Sequence, residues 1–277
     1  MTEPPLVSVV TPSLNQGRYL EDAIRSVLEQ DYPNIEHVVV DGGSTDETLD
    51  VLRRHPHLRW VSEPDAGQAD ALNKGFRMAN GEILGWLNAD DLYLPGAISA
   101  AVEVLRESGA ALVHGGWQTV DEDGKTIKQV AAVPFDLEKQ LNERNAVAQP
   151  GSFFTRAAFE AVGGIDPSYR YAMDYELWLK LGSRFQVRHV DRILASYRLH
   201  PASKTVGEYS GFVPETRRAS RRHGGRFFST IYLDWYLPRR RPWLFRFLRA
   251  YRFLRAGDLR GFGERVATHA ARLTGRR

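Results

Sequence analysis

The 277-residue chain contains no cysteine, which excludes disulfides, a thiolate nucleophile and cysteine-ligated zinc. No apolar run approaches the roughly 20 residues that a membrane-crossing helix needs. The opening Met1-Thr2-Glu3-Pro4-Pro5 lacks the basic and apolar regions of a signal peptide, so the expected compartment is the cytoplasm. Neither a Gly-x-Gly-x-x-Gly fingerprint after the first strand nor a Walker A loop is present, which argues against hydride transfer and P-loop hydrolysis. Internal repeats and low-complexity segments are also missing.

What is present suffices for a substantial core, since 43% of the residues are hydrophobic. Charge is uneven. From Glu215 onward there are 17 arginines, no lysine and four acids (Glu215, Asp234, Asp258, Glu264), a local excess of 13 positive charges that leaves residues 1 to 214 at −10 against an overall +3. That shift near Val213-Pro214 marks a boundary between a domain over residues 1–213 and an extension over 214–277.

Leu6 to Thr11 is a β-branched run that predicts a strand, and Tyr19 to Leu28 carries apolar residues at helical spacing. Strand Ile35 to Val40 follows, closed by Asp41-Gly42-Gly43. Ser44 and Glu47 have capping-box spacing and predict a helix from Thr45 to Arg54. A short strand at Leu58 to Val61, a helix from Gln68 to Met78 and a strand from Ile83 to Leu87 complete the alternation. Such order implies a mostly parallel sheet with helices on both faces.

The second half is less regular. A helix is expected over Pro95 to Leu105, a strand over Ala111 to Gly115, and a hairpin over Gln118 to Val130 turning at Asp123-Gly124. Ser152 to Phe154 predicts a short strand, Arg156 to Val162 and Asp174 to Leu181 helices. The regular part, to about residue 116, suits a nucleotide, and the mixed part, about 117–213, its partner substrate.

Asn88-Ala89-Asp90-Asp91 directly follows the apolar strand. Adjacent carboxylates at a strand end suit Mg²⁺ or Mn²⁺, which prefer oxygen ligands and are commonly shared between protein carboxylates and substrate phosphates. Capping of the next helix is the structural alternative. Ligands of open α/β sheets sit beyond the carboxyl ends of strands, where Thr11-Pro12-Ser13, Asp41-Gly42-Gly43 and Asn88 to Asp91 all fall.

In order and spacing, Val9-Val10-Thr11-Pro12-Ser13, Val40-Asp41-Gly42-Gly43-Ser44-Thr45-Asp46, the run Asp65 to Gly75, and Leu87-Asn88-Ala89-Asp90-Asp91 resemble inverting family 2 glycosyltransferases of the GT-A fold. The resemblance runs from about Leu6 to about Ser203. It implies that Thr11, Pro12 and Asp41 border the base and ribose of a nucleotide-sugar, with a UDP-sugar favoured. A carboxylate can accept an imide N–H or a ribose hydroxyl there, while a turn-forming role for Asp41 is the alternative. Gln68, Asp70, Asn73 and Lys74 meet sugar or phosphate, or form a solvated helix face.

Asn88 stands where the commoner family form, Asp-x-Asp, has its first carboxylate. This makes Asp90 the leading metal ligand and leaves Asp91 to metal, sugar or backbone, and Asn88 to ribose. Tyr171-Ala172-Met173-Asp174-Tyr175-Glu176-Leu177-Trp178 is similar to the family segment whose Asp is the catalytic base, with Met173 replacing a glutamate. Asp174 then takes the acceptor proton, with Asp166 and Glu176 as fallbacks. Tyr197-Arg198-Leu199-His200-Pro201-Ala202-Ser203 resembles a late basic motif near the diphosphate, implying that Arg198 or His200 stabilises the leaving group and that His200 joins Asp90 and Asp91 in the metal shell. Gln149-Pro150-Gly151-Ser152 resembles a segment near the acceptor.

Within the extension, Pro242 to Arg255 predicts a helix with Arg246, Arg249, Arg252 and Arg255 around one half and Leu244, Phe247, Leu248, Tyr251 and Leu254 on the other. Such a helix suits an anionic membrane surface or packs its apolar half onto the domain. No nucleic-acid-binding motif accompanies the charge, so no nucleic-acid partner is expected. The sequence therefore predicts a metal-dependent inverting glycosyltransferase acting on a glycan or lipid-linked hydroxyl acceptor in bacterial surface-glycan assembly, peripheral to the membrane. A sugar nucleotidyltransferase and a catalytically silent nucleotide-sugar scaffold are the rival readings.

Overall fold

The structure is a computed structural model that describes residues 3–227 and residue 229. Its first elements alternate: β1 (Val7–Ser13), α1 (Gly17–Leu28), β2 (Ile35–Asp41), α2 (Thr48–Arg53), β3 (Arg59–Ser62), α3 (Gln68–Met78) and β4 (Ile83–Trp86). The rest comprises β5 (Leu92–Tyr93), α4 (Ala97–Ser108), β6 (Leu112–Val120), β7 (Thr126–Val130), α5 (Leu137–Asn142), β8 (Ser152–Thr155), α6 (Arg156–Ala161), α7 (Met173–Arg184), β9 (Val187–Arg198), α8 (Lys204–Gly207) and α9 (Tyr209–Arg222).

One sheet of nine strands runs β3-β2-β1-β4-β8-β6-β9-β5, with β7 on β6. The expected parallel pairing holds across β3, β2, β1 and β4. Beyond β4 the sheet is mixed, because β8 enters antiparallel between β4 and β6, and β5 runs antiparallel to β9. Central β1 is buried along its whole length, as a strand covered on both faces must be, and so lacks in/out alternation.

Helix α1 buries one stripe, whereas α7 is buried nearly all round through Met173, Tyr175, Glu176, Leu177, Trp178, Leu179 and Leu181. Tyr19, Leu20, Ala23, Ile24 and Val27 form the α1 stripe, at spacings of one to four residues. Gly75 lets α3 lie directly on the sheet: a Cβ there would stand 2.3 Å from Val10 Cγ1. The capping-box expectation for α2 is corrected. Ser44 Oγ donates to Asp41 Oδ1 and accepts from Asn15 N (2.7 Å), so α2 begins later, with Thr48 N bonded to Asp46 Oδ1 at 3.0 Å.

Strand β9 had no counterpart in the sequence reading, since its charged and apolar residues do not alternate. It matters most for the site. Pairing of Leu92 with Ser196 and Tyr93 with Ala195 brings the Asn88–Asp91 turn beside Arg198 and His200, more than a hundred residues away in sequence. The compact unit to which these elements belong ends at Arg226, and α9 runs through the composition shift at Val213-Pro214. The expected helix over Pro242 to Arg255 lies outside the described residues.

Candidate active site

A cavity of about 830 Å³ opens beyond the carboxyl ends of β1 and β4, lined among others by Pro12, Leu14, Asp65, Gln68, Trp86, Asn88, Asp90, Gln149, Tyr171, Asp174, Tyr197 and Lys204. Of the expected site residues, Pro12, Gln68, Asn88, Asp90 and Asp174 therefore share one space.

Asn88 uses every hydrogen-bonding position it has. Its Oδ1 accepts from Trp86 Nε1 (2.8 Å) and Gln68 Nε2 (2.9 Å), while Nδ2 donates to Gln149 Oε1 (2.8 Å) and Asp91 Oδ2 (3.1 Å). A carboxylate at position 88 would supply neither donor and would add a third negative charge to the turn. The amide thus explains the departure from Asp-x-Asp in physical terms.

Asp91 turns inward. Fully buried, it accepts from Arg198 N (3.0 Å) as well as Asn88, and burial, reinforced by the Asp90 charge, raises its pKa well above the usual carboxylate range. Asp90 behaves differently: its side chain stays partly exposed and Oδ2 lies 2.9 Å from His200 Nε2. Behind this pair Arg198 donates to the Asp90 carbonyl (3.1 Å), the Glu122 carbonyl (2.7 Å) and Asp22 Oδ2 (3.1 Å). The Tyr19 ring packs against both His200 and Arg198, at 4.6 Å between ring centroids and 5.1 Å from guanidinium to centroid. Arg198 is thereby a buried brace of the Asp90 turn rather than a wall of the cavity.

Among the described residues no group of three or more His, Asp or Glu side chains is arranged to hold a metal ion. The structure brings Asp90 and His200 together without Asp91. One carboxylate fits a divalent cation whose remaining positions go to diphosphate oxygens and water, the usual arrangement for Mg²⁺, and the added imidazole suits Mn²⁺ better than Mg²⁺.

Four expected donor contacts lie away from the cavity, each for a visible reason. Thr11 is buried, its Oγ1 2.9 Å from His37 Nε2. Asp41, also fully buried, accepts from Gly43 N (3.1 Å), Ser44 N (2.9 Å), Ser44 Oγ (2.5 Å) and Ser62 Oγ (2.6 Å). Asn73 grips the backbone of Ile165 through both its amide atoms (2.8 and 3.1 Å), and Lys74 pairs with Glu63 at 2.6 Å. Asp41 therefore follows its turn-forming alternative.

Asp174 sits in the first turn of α7. It is half-buried, and burial, only partly offset by the N–H groups of Tyr175 and Asp174, pushes its pKa up to about 6. The fallbacks are otherwise engaged: Asp166 pairs with Arg222 at 2.7 Å, and buried Glu176 meets Lys180 at 3.0 Å and His223 at 3.3 Å.

Among the cavity residues that the sequence does not single out as site residues are two charged ones, Asp65 and Lys204. Asp65 belongs to a quoted motif, yet nothing distinguished it from Asp70; in the fold it lies at the Gly42 backbone, where a Cβ would come within 2.8 Å of Asp65 Oδ2. Lys204 donates to Gln68 Oε1 at 2.7 Å, joining the amide network, and burial lowers its pKa. A lone lysine beyond the last motif carried no signal.

A mixed sheet flanked by helices, with a carboxylate–imidazole pair at its strand ends and a separate half-buried carboxylate at a helix start, is the architecture of GT-A glycosyltransferases. The sequence profile of glycosyl transferase family 2 matches residues 8–163, and the chain belongs to that family. It is 31% identical over 203 residues to the Bacillus subtilis protein TuaG, named for teichuronic acid biosynthesis, covering 70% of this chain and 79% of the relative. It is 28% identical over 207 residues to Escherichia coli chondroitin synthase, covering 73% of this chain but only 30% of that longer relative. The mannosyltransferase PcManGT from Pyrobaculum calidifontis, solved with GDP-Man and Mn²⁺, superposes with a TM-score of 0.65 at 24% identity over 98% of this chain and 81% of that one. S. aureus TarS residues 1–349 with UDP-GlcNAc gives 0.64 at 17% identity, covering 79% and 66%. At these identities the two structures establish the shared fold. No helix among the described residues is long and apolar enough to cross a membrane.

Proposed function

We propose that the chain transfers a sugar from a nucleotide-sugar donor to a hydroxyl acceptor with inversion at the anomeric carbon. The observation that carries this reading is that one cavity is lined by a half-buried carboxylate of raised pKa, Asp174, and by a separate carboxylate, Asp90, against which His200 lies at 2.9 Å. A carboxylate whose pKa lies near 6 is ionised at neutral pH yet basic enough to take a proton as it is released.

In this reading Asp174 accepts the acceptor O–H proton while the oxygen attacks the anomeric carbon, and the nucleoside diphosphate leaves from the other face. Inversion follows from that single displacement. Asp90 and His200 would hold a divalent cation, which when bound would neutralise charge on the departing diphosphate. Arg198 keeps the Asp90 turn in place, and Lys204 and Gln68 lie where they can reach the donor. Pro12, Leu14 and Asp65 would border the base.

Solved structures of the same fold hold UDP-GlcNAc and GDP-Man, which supports a nucleotide-sugar without choosing its base; a UDP-sugar is the first candidate. Relatives named for teichuronic acid biosynthesis and chondroitin synthesis support a role in surface-polysaccharide assembly. For the arginine-rich segment after residue 213 we propose contact with an anionic membrane surface, where lipid-linked acceptors are found. The chain cut before Pro242 is then expected to lose salt-sensitive binding to phosphatidylserine or cardiolipin vesicles; equal binding by cut and full chains overturns that part.

A screen of nucleotide-sugars with Mn²⁺, Mg²⁺ or EDTA tests the activity. The expected products are a nucleoside diphosphate and a glycoside of inverted anomeric configuration, formed only with metal. Pyrophosphate release would identify a nucleotidyltransferase, and donor binding without turnover on any acceptor a silent scaffold.

A further inference from the structure

Asp174 reaches the cavity from the second residue of α7, and among the described residues no other side chain bonds its carboxylate. Where that carboxylate points is therefore decided by the backbone that starts the helix. The first N–H groups of any helix lack intrahelical partners and need acceptors from elsewhere. Ala172, the N-cap residue here, has no side chain able to serve, and no side-chain cap bond is made there.

An acceptor from α9 instead holds the N–H of Ala172 and those of the two residues that lead into it. Glu215 Oε2 takes hydrogen bonds from Tyr171 N (2.7 Å), Ala172 N (3.0 Å) and Arg170 N (3.0 Å), and Arg170 N is also 3.0 Å from Oε1. Three consecutive amides converge on one carboxylate, which also favours the positive end of the α7 dipole. Glu208 reinforces the grip by accepting from the Tyr171 hydroxyl and pairing with Arg170 at 3.3 Å.

We propose that Glu215 is a positioning residue for glycosyl transfer: its carboxylate fixes the Arg170–Ala172 backbone and so the direction in which Asp174 enters the cavity. The inference rests on Asp174 being the base. A carboxylate that has to meet an acceptor proton within hydrogen-bond reach tolerates little displacement, and an error of about 1 Å can lower a rate on the order of 10²-fold. Glu215 itself touches no reacting atom.

The test uses the full chain with Glu215→Ala, Glu215→Gln and Asp174→Asn. Two readouts are taken: nucleoside diphosphate release from UDP-GlcNAc or GDP-mannose with Mn²⁺, and the titration midpoint of the Asp174 carboxyl by carbon NMR, assigned by its absence in Asp174→Asn. Glu215→Ala is expected to lower kcat on the order of 10-fold or more with donor KM little changed, and to move the Asp174 midpoint down as the loosened turn admits water. Glu215→Gln keeps one oxygen for Tyr171 N and Ala172 N and is expected to retain most of both properties.

Unchanged kcat and midpoint in a folded Glu215→Ala protein would overturn the proposal. A Gln variant as impaired as the Ala variant would overturn it too, in favour of a charge effect, and failure of both variants to fold would leave Glu215 a fold residue. Turnover that survives Asp174→Asn removes the base assignment instead, and the midpoint alone then decides whether Glu215 orients α7.

Discussion

Asp41 ends β2 and Asp174 opens α7, both at the edge of the core, yet the protein surrounds them in opposite ways. Asp41 meets two backbone N–H groups and two serine hydroxyls and is completely enclosed. Asp174 meets only the N–H groups of its own helix start, keeps a face on the cavity, and is driven toward its neutral form by burial. In the parallel half of the sheet Asp41 shapes a turn that a ligand can approach. The mixed half leaves a carboxylate with unused lone pairs. A motif position thus identifies where the site is, while the count of hydrogen-bond donors around each carboxylate tells which of them can act.

The contrast breaks most sharply at Asp174. Asp174→Asn should lower kcat by roughly 10² to 10⁴ while donor affinity stays within a few-fold. Because the folded pKa of about 6 exceeds the ordinary value of 3.8, the folded state binds the proton more tightly than the unfolded one. The group's effect on stability is accordingly most favourable below about pH 4, is lost as pH rises toward 6, and above that is a deficit of at most about 3 kcal/mol before solvent screening reduces it. Asp174→Asn should therefore raise the melting temperature at pH 7 to 8 and not at pH 4. In the wild type the acid limb of the kcat profile should rise through about pH 6. A variant that melts lower at pH 7.5 and still turns over would place Asp174 with Asp41, among the carboxylates that build the fold.

Asp90 sharpens the same comparison on the metal side. Replacing it with Asn removes one of the two proposed carboxylate and imidazole ligands of a cation, so Mn²⁺-dependent affinity for a nucleotide-sugar should fall tenfold or more, about 1.4 kcal/mol per decade. The melting temperature without metal should hold. Titration calorimetry of UDP-GlcNAc with and without Mn²⁺ checks this, and equal affinities for both proteins would remove Asp90 from the metal site.

Much of this was legible in advance because the first half obeys simple periods. The helix from Gln68 to Met78 was read with its observed bounds, and β1, β2 and β4 within two residues at each end, since buried parallel strands are near-continuous apolar runs. What sequence could not supply was pairing between distant segments. That β5 would dock on β9, and so carry Asp90 to His200, depends on two residues of strand, Leu92 and Tyr93, too few to show any period. Nor could spacing tell that Ser44 and Ser62 would converge on Asp41, or that Asn73 would reach across to Ile165. Hydrogen-bond saturation is a property of the tertiary fold, and it decided which motif carboxylates are left with free lone pairs.

Asp41→Ala tests the enclosed side of the comparison. Removing the carboxylate strands the donors of buried Ser44, while those of half-buried Ser62 and exposed Gly43 can turn to water, a loss of about 1–3 kcal/mol by the usual penalty for unpaired buried groups. The melting temperature should drop by several degrees while donor affinity per folded molecule changes little. An unchanged melting temperature with donor affinity lost would return Asp41 to the nucleobase contacts that the family resemblance implied.

Lys74 should show the smallest effect of all. Its ammonium is paired with Glu63 at 2.6 Å, at a surface position outside the cavity, and the ion pair raises its pKa. Exposed pairs of this kind contribute little, because water competes for both charges and two long side chains lose freedom in meeting. Lys74→Met should therefore leave donor affinity, kcat and melting temperature near wild-type values, even though the residue stands inside the motif that carries Gln68. Salt separates this from a role in binding. If Lys74 instead meets the donor diphosphate in a state where α3 and Glu63 have parted, the substitution will weaken donor binding at low ionic strength and less so at high. That outcome would show that α3 contributes a cation to the ligand, alongside the Asp90 carboxylate proposed to reach it from the same half of the sheet.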